Sequence, residues 1–170
     1  MTISVRPERP GDEPAIAALT TTAFAEKRYA TGDEAGMIER LRERGELAIS
    51  LVAVNMDDAV IGHAAFSPLT ISDGSQGWYG LGPISVIPLR QRAGIGSMLV
   101  EAGLAELRRI GAKGCTVVGD AELYRRFGFE NDPRLYLVGV LPEHFHWQVW
   151  EGEAPRGEVK YSPAFYSGAD

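Results

Sequence analysis

The chain opens on alternating apolar and polar residues, Ile3-Ser4-Val5-Arg6, a period of two that predicts a short strand before Pro7 and Pro10 interrupt it. The period then lengthens. Gly11-Asp12-Glu13-Pro14 carries the marks of a helix start, with Asp12 as its cap and Pro14 in the first turn. Ile16, Leu19 and Ala23 follow at spacings of three and four, one face of a helix ending near Phe24. A second helix is predicted from Asp33 or Glu34 to Arg44, with Met37, Ile38 and Leu41 inward and Gly45 as its stop.

After Gly45 the pattern changes again. Leu47 to Val54 is rich in Val, Ile and Leu, Asn55-Met56-Asp57-Asp58 marks a turn, and Val60 to Ile71 resumes, which predicts an antiparallel pair. Ser72-Asp73-Gly74-Ser75 turns the chain into a third strand, Trp78 to Ile87. Gly80, Gly82 and Pro83 disturb that strand and point to a bulge, a splay or an edge. Gly94 to Ile110 is the longest helical pattern, with Ile95, Met98, Leu99, Ala102 and Ala105 on one face and Gly111 at its end. Cys115 to Val118 reads as a strand and Glu122 to Phe127 as a short helix stopped by Gly128. Leu135 to Leu141, His146 to Trp150 and Glu158 to Tyr161 are weaker strand candidates. No repeat or linker divides the series, so a single mixed α/β domain over 1–170 with one central sheet is expected.

Composition narrows the function classes. No apolar run approaches the ~20 residues that cross a bilayer, and the first eleven residues lack the basic-then-apolar layout of a signal peptide, so no membrane partner is expected. Cys115 is the only cysteine, which excludes an intrachain disulfide and a thiol-rich metal site and fits a reducing cytoplasm. The net charge of −6 has the wrong sign for phosphate-backbone binding, so no nucleic-acid partner is expected. It suits a cationic small molecule slightly, and plain solubility better. Glycine is in excess: 20 residues, about 12% against an ordinary ~7%.

Two of those glycines carry chemistry. In Val86-Ile87-Pro88-Leu89-Arg90-Gln91-Arg92-Ala93-Gly94-Ile95-Gly96 a strand ends, a loop follows, and Gly94 and Gly96 open a long helix. Glycine lets the backbone approach a ligand without a Cβ in the way, and the first N–H groups of a helix lack internal partners. Strand, small-residue loop and helix start therefore make an anion site suited to a pyrophosphate, with Arg90 and Arg92 able to add charge at its rim. It is neither a Walker A loop, which needs Gly-Lys-Ser/Thr, nor a dinucleotide fingerprint, which needs glycine where Leu99 stands. The bland alternative is a glycine-rich connection that packs helix on sheet.

The same stretch resembles the acetyl-CoA loop of the GNAT N-acetyltransferases, whose signature Gln/Arg-x-x-Gly-x-Gly/Ala is filled by Gln91, Gly94 and Gly96. Downstream, Tyr124-Arg125-Arg126-Phe127-Gly128-Phe129 is similar to that family's second half-site, Tyr-x-x-x-Gly-Phe. The Gly-Leu-Gly-Pro lead-in at 80–83 and Gly119-Asp120 before the tyrosine resemble the YhbS-like predicted acetyltransferase subgroup. The resemblance implies the acyl-CoA N-acyltransferase fold: a mixed, mostly antiparallel sheet flanked by helices, with splayed middle strands. It implies main-chain groups of Ile84, Ser85 and Val86 pairing with the pantetheine arm of acetyl-CoA, and N–H groups of Gln91, Arg92, Ala93, Gly94, Ile95, Gly96 and Ser97 around the pyrophosphate. The Val86 N–H would be the oxyanion donor and Tyr124 the general acid, itself beside the cofactor. A phenol at pKa ~10 stays protonated at neutral pH and is close in strength to a thiol at ~8.5, so proton donation to a departing thiolate is feasible. The ordinary alternative for Tyr124 is an amphipathic helix residue that closes the core. Acetyl-CoA is thus the expected co-substrate, without a metal.

The base and the acceptor stay open. No carboxylate lies between Trp78 and Val86, leaving Glu34, His63, Asp73 or a water chain, and His63 in an apolar strand reads first as a satisfied sheet histidine. His144 and His146 stand two apart without the further ligands of a metal site. Cys115 reads as packing. Phe145, Trp147, Trp150, Tyr161, Phe165 and Tyr166 line an acceptor pocket or finish the core and a homodimer contact, the second being the default. By resemblance the acceptor lies between the Phe24–Gly36 segment and this C-terminal region. A small-molecule primary amine is the expected acceptor; the alternatives are a protein N-terminus or lysine, or a non-catalytic acyl-CoA sensor.

Overall fold

The computed structural model describes residues 2–25, 27, 30–90 and 94–166, with Leu89 by its backbone alone. The elements run β1 (Ser4–Pro7), α1 (Glu13–Phe24), α2 (Glu34–Glu43), β2 (Ile49–Val54), β3 (Val60–Pro68), β4 (Thr70–Ile71) and β5 (Trp78–Val86). They continue with α3 (Ile95–Arg109), β6 (Gly114–Val118), α4 (Ala121–Arg125), β7 (Leu135–Tyr136), β8 (Phe145–Val149) and β9 (Gly157–Lys160). Six strands form the main sheet in the order β1-β2-β3-β5-β6-β8. Every neighbouring pair is antiparallel except β5 and β6, which run parallel. The mixed, mostly antiparallel sheet expected from the sequence is present.

Alternation along β2 sets the layers. Leu51 and Ala53 are buried with Ile95, Leu99 and Leu107 of α3, whereas Val52 and Val54 are buried with Ile16 of α1 and Ile38 of α2. Successive residues of a strand point to opposite faces, so α3 covers one side of the sheet and the α1–α2 pair covers the other. The β2–β3 hairpin closes where Asn55 Oδ1 accepts from the Asp57 and Ala59 N–H groups at 2.9 and 3.0 Å.

Four expectations change. Asp12 does stand at the head of α1, but its backbone is already helical and its carboxylate does not cap. It accepts instead from the Arg9 N–H at 2.7 Å and from the Arg6 guanidinium at 2.8 Å. The buried face of α3 is Ile95, Leu99, Val100, Gly103, Leu104 and Leu107, while Met98 and Ala105 are exposed. Gly103 belongs to that face because the Phe66 ring lies over it: a Cβ there would sit 2.0 Å from Phe66 Cζ. The long run Val60–Ile71 breaks after Pro68, and its end, β4, leaves the main sheet to join β9 and β7 in a second, three-stranded one. Leu135–Leu141, finally, shrinks to the two-residue β7.

The small sheet encloses its own core of Leu69, Ile71, Trp78, Leu135, Phe145, Trp147 and Val159, with Trp78 edge-on to Trp147 at 5.9 Å. Among the described residues no helix is long and apolar enough to cross a membrane.

Candidate active site

The two middle strands of the main sheet part company. β6 is in register with β5 only from Trp78 to Leu81, whereas β3 follows β5 as far as Val86. At the point of parting, Gly82 holds φ +141°, and the next residue, Pro83, has no N–H to offer a neighbouring strand. The disturbance read in the sequence is a splay.

Beyond it, hydrogen bonding to β3 falls on alternate residues. The Ile87 N–H donates to the Ile61 carbonyl at 3.0 Å, so the pair two residues back, Ser85 with His63, is the next to exchange main-chain bonds. The main-chain groups of Ile84 and Val86 therefore point toward the edge that β6 has left.

β5 continues into a single 3₁₀ turn, Pro88–Arg90, and the chain re-enters regular structure at Gly94. Gln91, Arg92 and Ala93, expected to ring a pyrophosphate, lie outside the described residues. Gly94 is left-handed at φ +84° and precedes α3, so glycine is needed there by the backbone itself. Gly96 is different. Its φ is ordinary and a Cβ would meet nothing within 4 Å among the described residues, so none of their contacts explains its glycine.

These elements meet in a cleft of about 500 Å³. Of the expected site residues, Ile84, Ser85, Val86, Gly94, Gly96, Ser97 and Tyr124 line it. Ile95 turns its side chain into the core and is 1% exposed, which leaves only its main chain near the loop. Tyr124 is brought in by α4, whose head is capped by Asp120 Oδ1 accepting from the Glu122 N–H at 2.8 Å. Its ring packs edge-on against Phe129 at 5.9 Å and closely covers Gly119, where a Cβ would lie 2.5 Å from Tyr124 Cε2. Gly128 at φ +94° turns the chain so that Phe129 can reach that ring.

The cleft also contains residues that the sequence reading passed over. Ala23, Phe24 and Lys27 come from the end of α1 and just beyond it, and Val100, Leu123, Arg126 and Phe127 complete the wall. Arg126 Nη2 reaches Ser97 Oγ at 3.5 Å, with the guanidinium over the Phe127 ring at 5.4 Å. The available signal was charge: a cation one position from the motif tyrosine's helix faces the same loop that the glycines shape. A second hollow of about 320 Å³ shares Phe24 and Lys27 with the cleft and is otherwise lined from the Thr21–Ala35 stretch.

The three candidate bases are dispersed. The Asp73 carboxylate accepts from the Ser75 and Arg156 N–H groups at 2.8 and 2.9 Å, and these bonds hold its pKa below the usual aspartate value. It serves a turn. Glu34 accepts from the Thr31 N–H at 2.8 Å and the Gly32 N–H at 3.2 Å and borders the second hollow. His63 is fully buried on β3, and burial pushes its pKa down to about 4. Its Nε2 meets Ser50 Oγ at 2.8 Å, while Nδ1 has no partner, so it is not the fully satisfied histidine the sequence suggested.

The other residues singled out in the sequence lie away from the cleft. Cys115 is wholly buried and burial drives its thiol pKa up, away from reactivity. His146 is buried with Nε2 2.8 Å from the Gly119 carbonyl, whereas His144 is exposed, so the two share no surroundings. Phe145 and Trp147 are core residues of the small sheet, and no C-terminal aromatic is among the described residues lining the cleft.

Comparison with known proteins bears on this geometry. A family model described as an acetyltransferase (GNAT) domain matches residues 4–131. The uncharacterized N-acetyltransferase YhbS of Escherichia coli strain K12 is 36% identical over 126 residues, covering 74% of this chain and 72% of that protein. A GNAT family acetyltransferase from Brucella melitensis, solved in complex with acetyl-CoA, is 41% identical and superposes with a TM-score of 0.86 over 96% of this chain and 98% of its own. The structure of Escherichia coli YhbS in complex with CoA is 30% identical, with a TM-score of 0.87 over 98% and 93% of the two chains.

Proposed function

Since the chain belongs to the GNAT acetyltransferase family, we propose that it transfers the acetyl group of acetyl-CoA to a primary amine of a small molecule, by direct attack in a ternary complex in the cytoplasm. The observation that carries the reading is the cleft in which Ser85, Val86, Gly94, Gly96, Ser97 and Tyr124 converge. Open space over Gly96 suits close approach of a pyrophosphate, and the relatives solved with acetyl-CoA and CoA share this fold over nearly the whole chain.

Each residue then has a task. The outward main-chain groups at Ile84 and Val86 pair with the pantetheine amides as a neighbouring strand would. N–H groups from Gln91 through Ser97 bind the pyrophosphate at the head of α3, and Arg126 adds positive charge there. The Val86 N–H donates to the carbonyl oxygen on which negative charge grows as the amine attacks. Tyr124 donates its phenolic proton to the departing thiolate.

The test is release of CoA thiol from acetyl-CoA in the presence of spermidine, kanamycin, free lysine and lysine-bearing peptides in turn. Release with one of the small amines is the expected result. Release with peptides alone would move the acceptor to protein. Tight acetyl-CoA binding without release in any arm would make the protein an acyl-CoA sensor.

A further inference from the structure

We propose that Glu8, Ser50 and the buried His63 form a relay that takes up, by way of the Ser85 hydroxyl, the proton an acceptor amine must lose before it attacks. The proposal rests on the acetyl-transfer reading and supplies the base that reading lacks.

The hydrogen-bond directions follow from one fixed end. Arg42 donates to the Glu8 carboxylate through Nη2 at 2.7 Å and Nε at 3.2 Å. Burial works against that carboxylate, but the bonds from Arg42 and Ser50 outweigh it and keep its pKa below the ordinary glutamate value. An ionised carboxylate can only accept, so the Ser50 hydroxyl donates to Glu8 Oε1, 2.7 Å away. Having given its one proton to Glu8, Ser50 Oγ must accept from His63 Nε2, 2.8 Å away. A neutral imidazole with its proton on Nε2 carries its lone pair on Nδ1. That atom is buried and unpartnered.

Its neighbour across the sheet completes the pattern. His63 stands directly opposite Ser85 in the β3–β5 register. Opposed residues of antiparallel strands share a face, with Cβ atoms roughly 4.5–5.5 Å apart. Ser85 Oγ is the other buried, unpartnered polar atom of this strand pair beyond the splay, and Ser85 lines the cleft. A lone pair with no donor thus stands opposite a hydroxyl with no acceptor, one of them at the wall of the site. Two buried polar atoms left unpaired in complementary positions are costly unless they serve a ligand.

The charged groups whose fields reach His63 are Glu8 and Arg42. β2 brings the Ser50 hydroxyl onto it, β5 sets Ser85 opposite it, and the buried face of α1, which packs on β3, carries Ile16, Leu19, Thr20 and Ala23 and no titratable group.

The transfer balances as a chain of exchanges. Once Ser85 turns about its Cα–Cβ bond to bring Oγ to Nδ1, the ammonium N–H bond breaks toward Ser85 Oγ, directly or through one water, as the Ser85 proton passes to Nδ1. The Nε2 proton moves to Ser50 Oγ, whose own proton moves to Glu8 Oε1. Each donor is refilled, the amine keeps its electron pair for attack on the thioester, and the proton leaves from Glu8, which is partly exposed.

The decisive experiment compares wild type, Ser50→Ala and Ser50→Thr, using acetyl-CoA and the amine that wild type turns over fastest. Ser50→Ala should lower kcat/KM for the amine by ~10²-fold at pH 7, at the low end of general-base effects, with the acetyl-CoA KM unchanged. The deficit should narrow as pH rises toward the amine's own pKa, and Ser50→Thr, which restores the hydroxyl, should recover the wild-type profile. Independently, ¹⁵N NMR of the histidine rings should show His63 with Nε2 protonated and Nδ1 bare. A Ser50→Ala pH profile superimposable on wild type, or a proton resting on Nδ1, overturns the relay while leaving acetyl transfer intact. A wild-type protein that turns over no amine overturns the transfer reading, and the relay with it.

Discussion

Gly96 separates ligand binding from folding more cleanly than any other residue of the cleft. It is the second residue of α3, its φ is ordinary, and a Cβ built on it meets no atom of the described residues within 4 Å. Packing and backbone conformation therefore tolerate alanine, and removing a helical glycine should even stabilise the fold by about 0.5 kcal/mol. For a chain of this size that is a rise in Tm of roughly 1–2 °C. Binding should move the opposite way. A methyl group above the loop holds a phosphate away from the first N–H groups of α3, and a charged hydrogen bond contributes about 1.5–3 kcal/mol. Loss of one such bond corresponds to a fall in acetyl-CoA affinity of about 10- to 150-fold. Gly96→Glu adds a like charge beside the phosphates and should abolish measurable binding. Thermal unfolding and titration calorimetry on the same preparations give both numbers. An alanine variant that binds acetyl-CoA as tightly as wild type would mean the open space over Gly96 is not where the pyrophosphate sits.

Other substitutions isolate other parts of the argument. Tyr124→Phe keeps the ring that packs on Phe129 and removes only the hydroxyl, so turnover should drop by ~10²-fold with acetyl-CoA affinity retained; unchanged turnover removes Tyr124 from the mechanism. Gly103→Ala pits a helix-propensity gain of about 1 kcal/mol against a Cβ placed 2.0 Å from the fully buried Phe66 ring. The clash should win by about 2 kcal/mol and lower Tm by roughly 4–8 °C, and a higher Tm would show that Phe66 has room to move. Acid should weaken the fold through His63. Its folded pKa of about 4 lies below the ordinary 6.5, so the unfolded chain binds the proton first. Stability is complete above pH 6.5 and falls by about 3 kcal/mol as the pH drops to 4. Urea unfolding of His63→Gln should show a shallower loss over that window, and a slope equal to wild type would assign the acid sensitivity to the carboxylates instead.

How much of the fold the sequence carried depended on element length. β2 and β3 were legible because their hydrophobic runs of β-branched and small residues are long enough to show a pattern. The two-residue strands β4 and β7 were not, since two residues define no period, and their pairing with β9 is set by chain reversal far along the sequence. The buried face of α3 departs from the apolar stripe for a related reason. Ile95, Met98 and Leu99 sit on a helical stripe, but the face that the sheet selects runs through Gly103, which contributes no hydrophobic signal and matters only as the seat for Phe66.

The site divides along the same line. The side proposed for acetyl-CoA is built largely from main-chain groups, and backbone geometry leaves a residue signature: glycine where φ is positive or where a Cβ would intrude, proline where a strand must lose a neighbour. Gly82, Pro83, Gly94, Gly96 and Gly128 could therefore be read in order along the chain. The proposed proton relay is built from side chains that meet only through sheet register. His63 faces Ser85 because β3 and β5 pair in one particular alignment, and it meets Ser50 because β2 lies on the other flank. No spacing within the sequence encodes either meeting. An imidazole in an apolar strand looks alike whether both nitrogens are paired or one is left bare toward a cleft. That difference decides between a packing residue and a proton path, and it belongs to the sheet rather than to any segment of the chain.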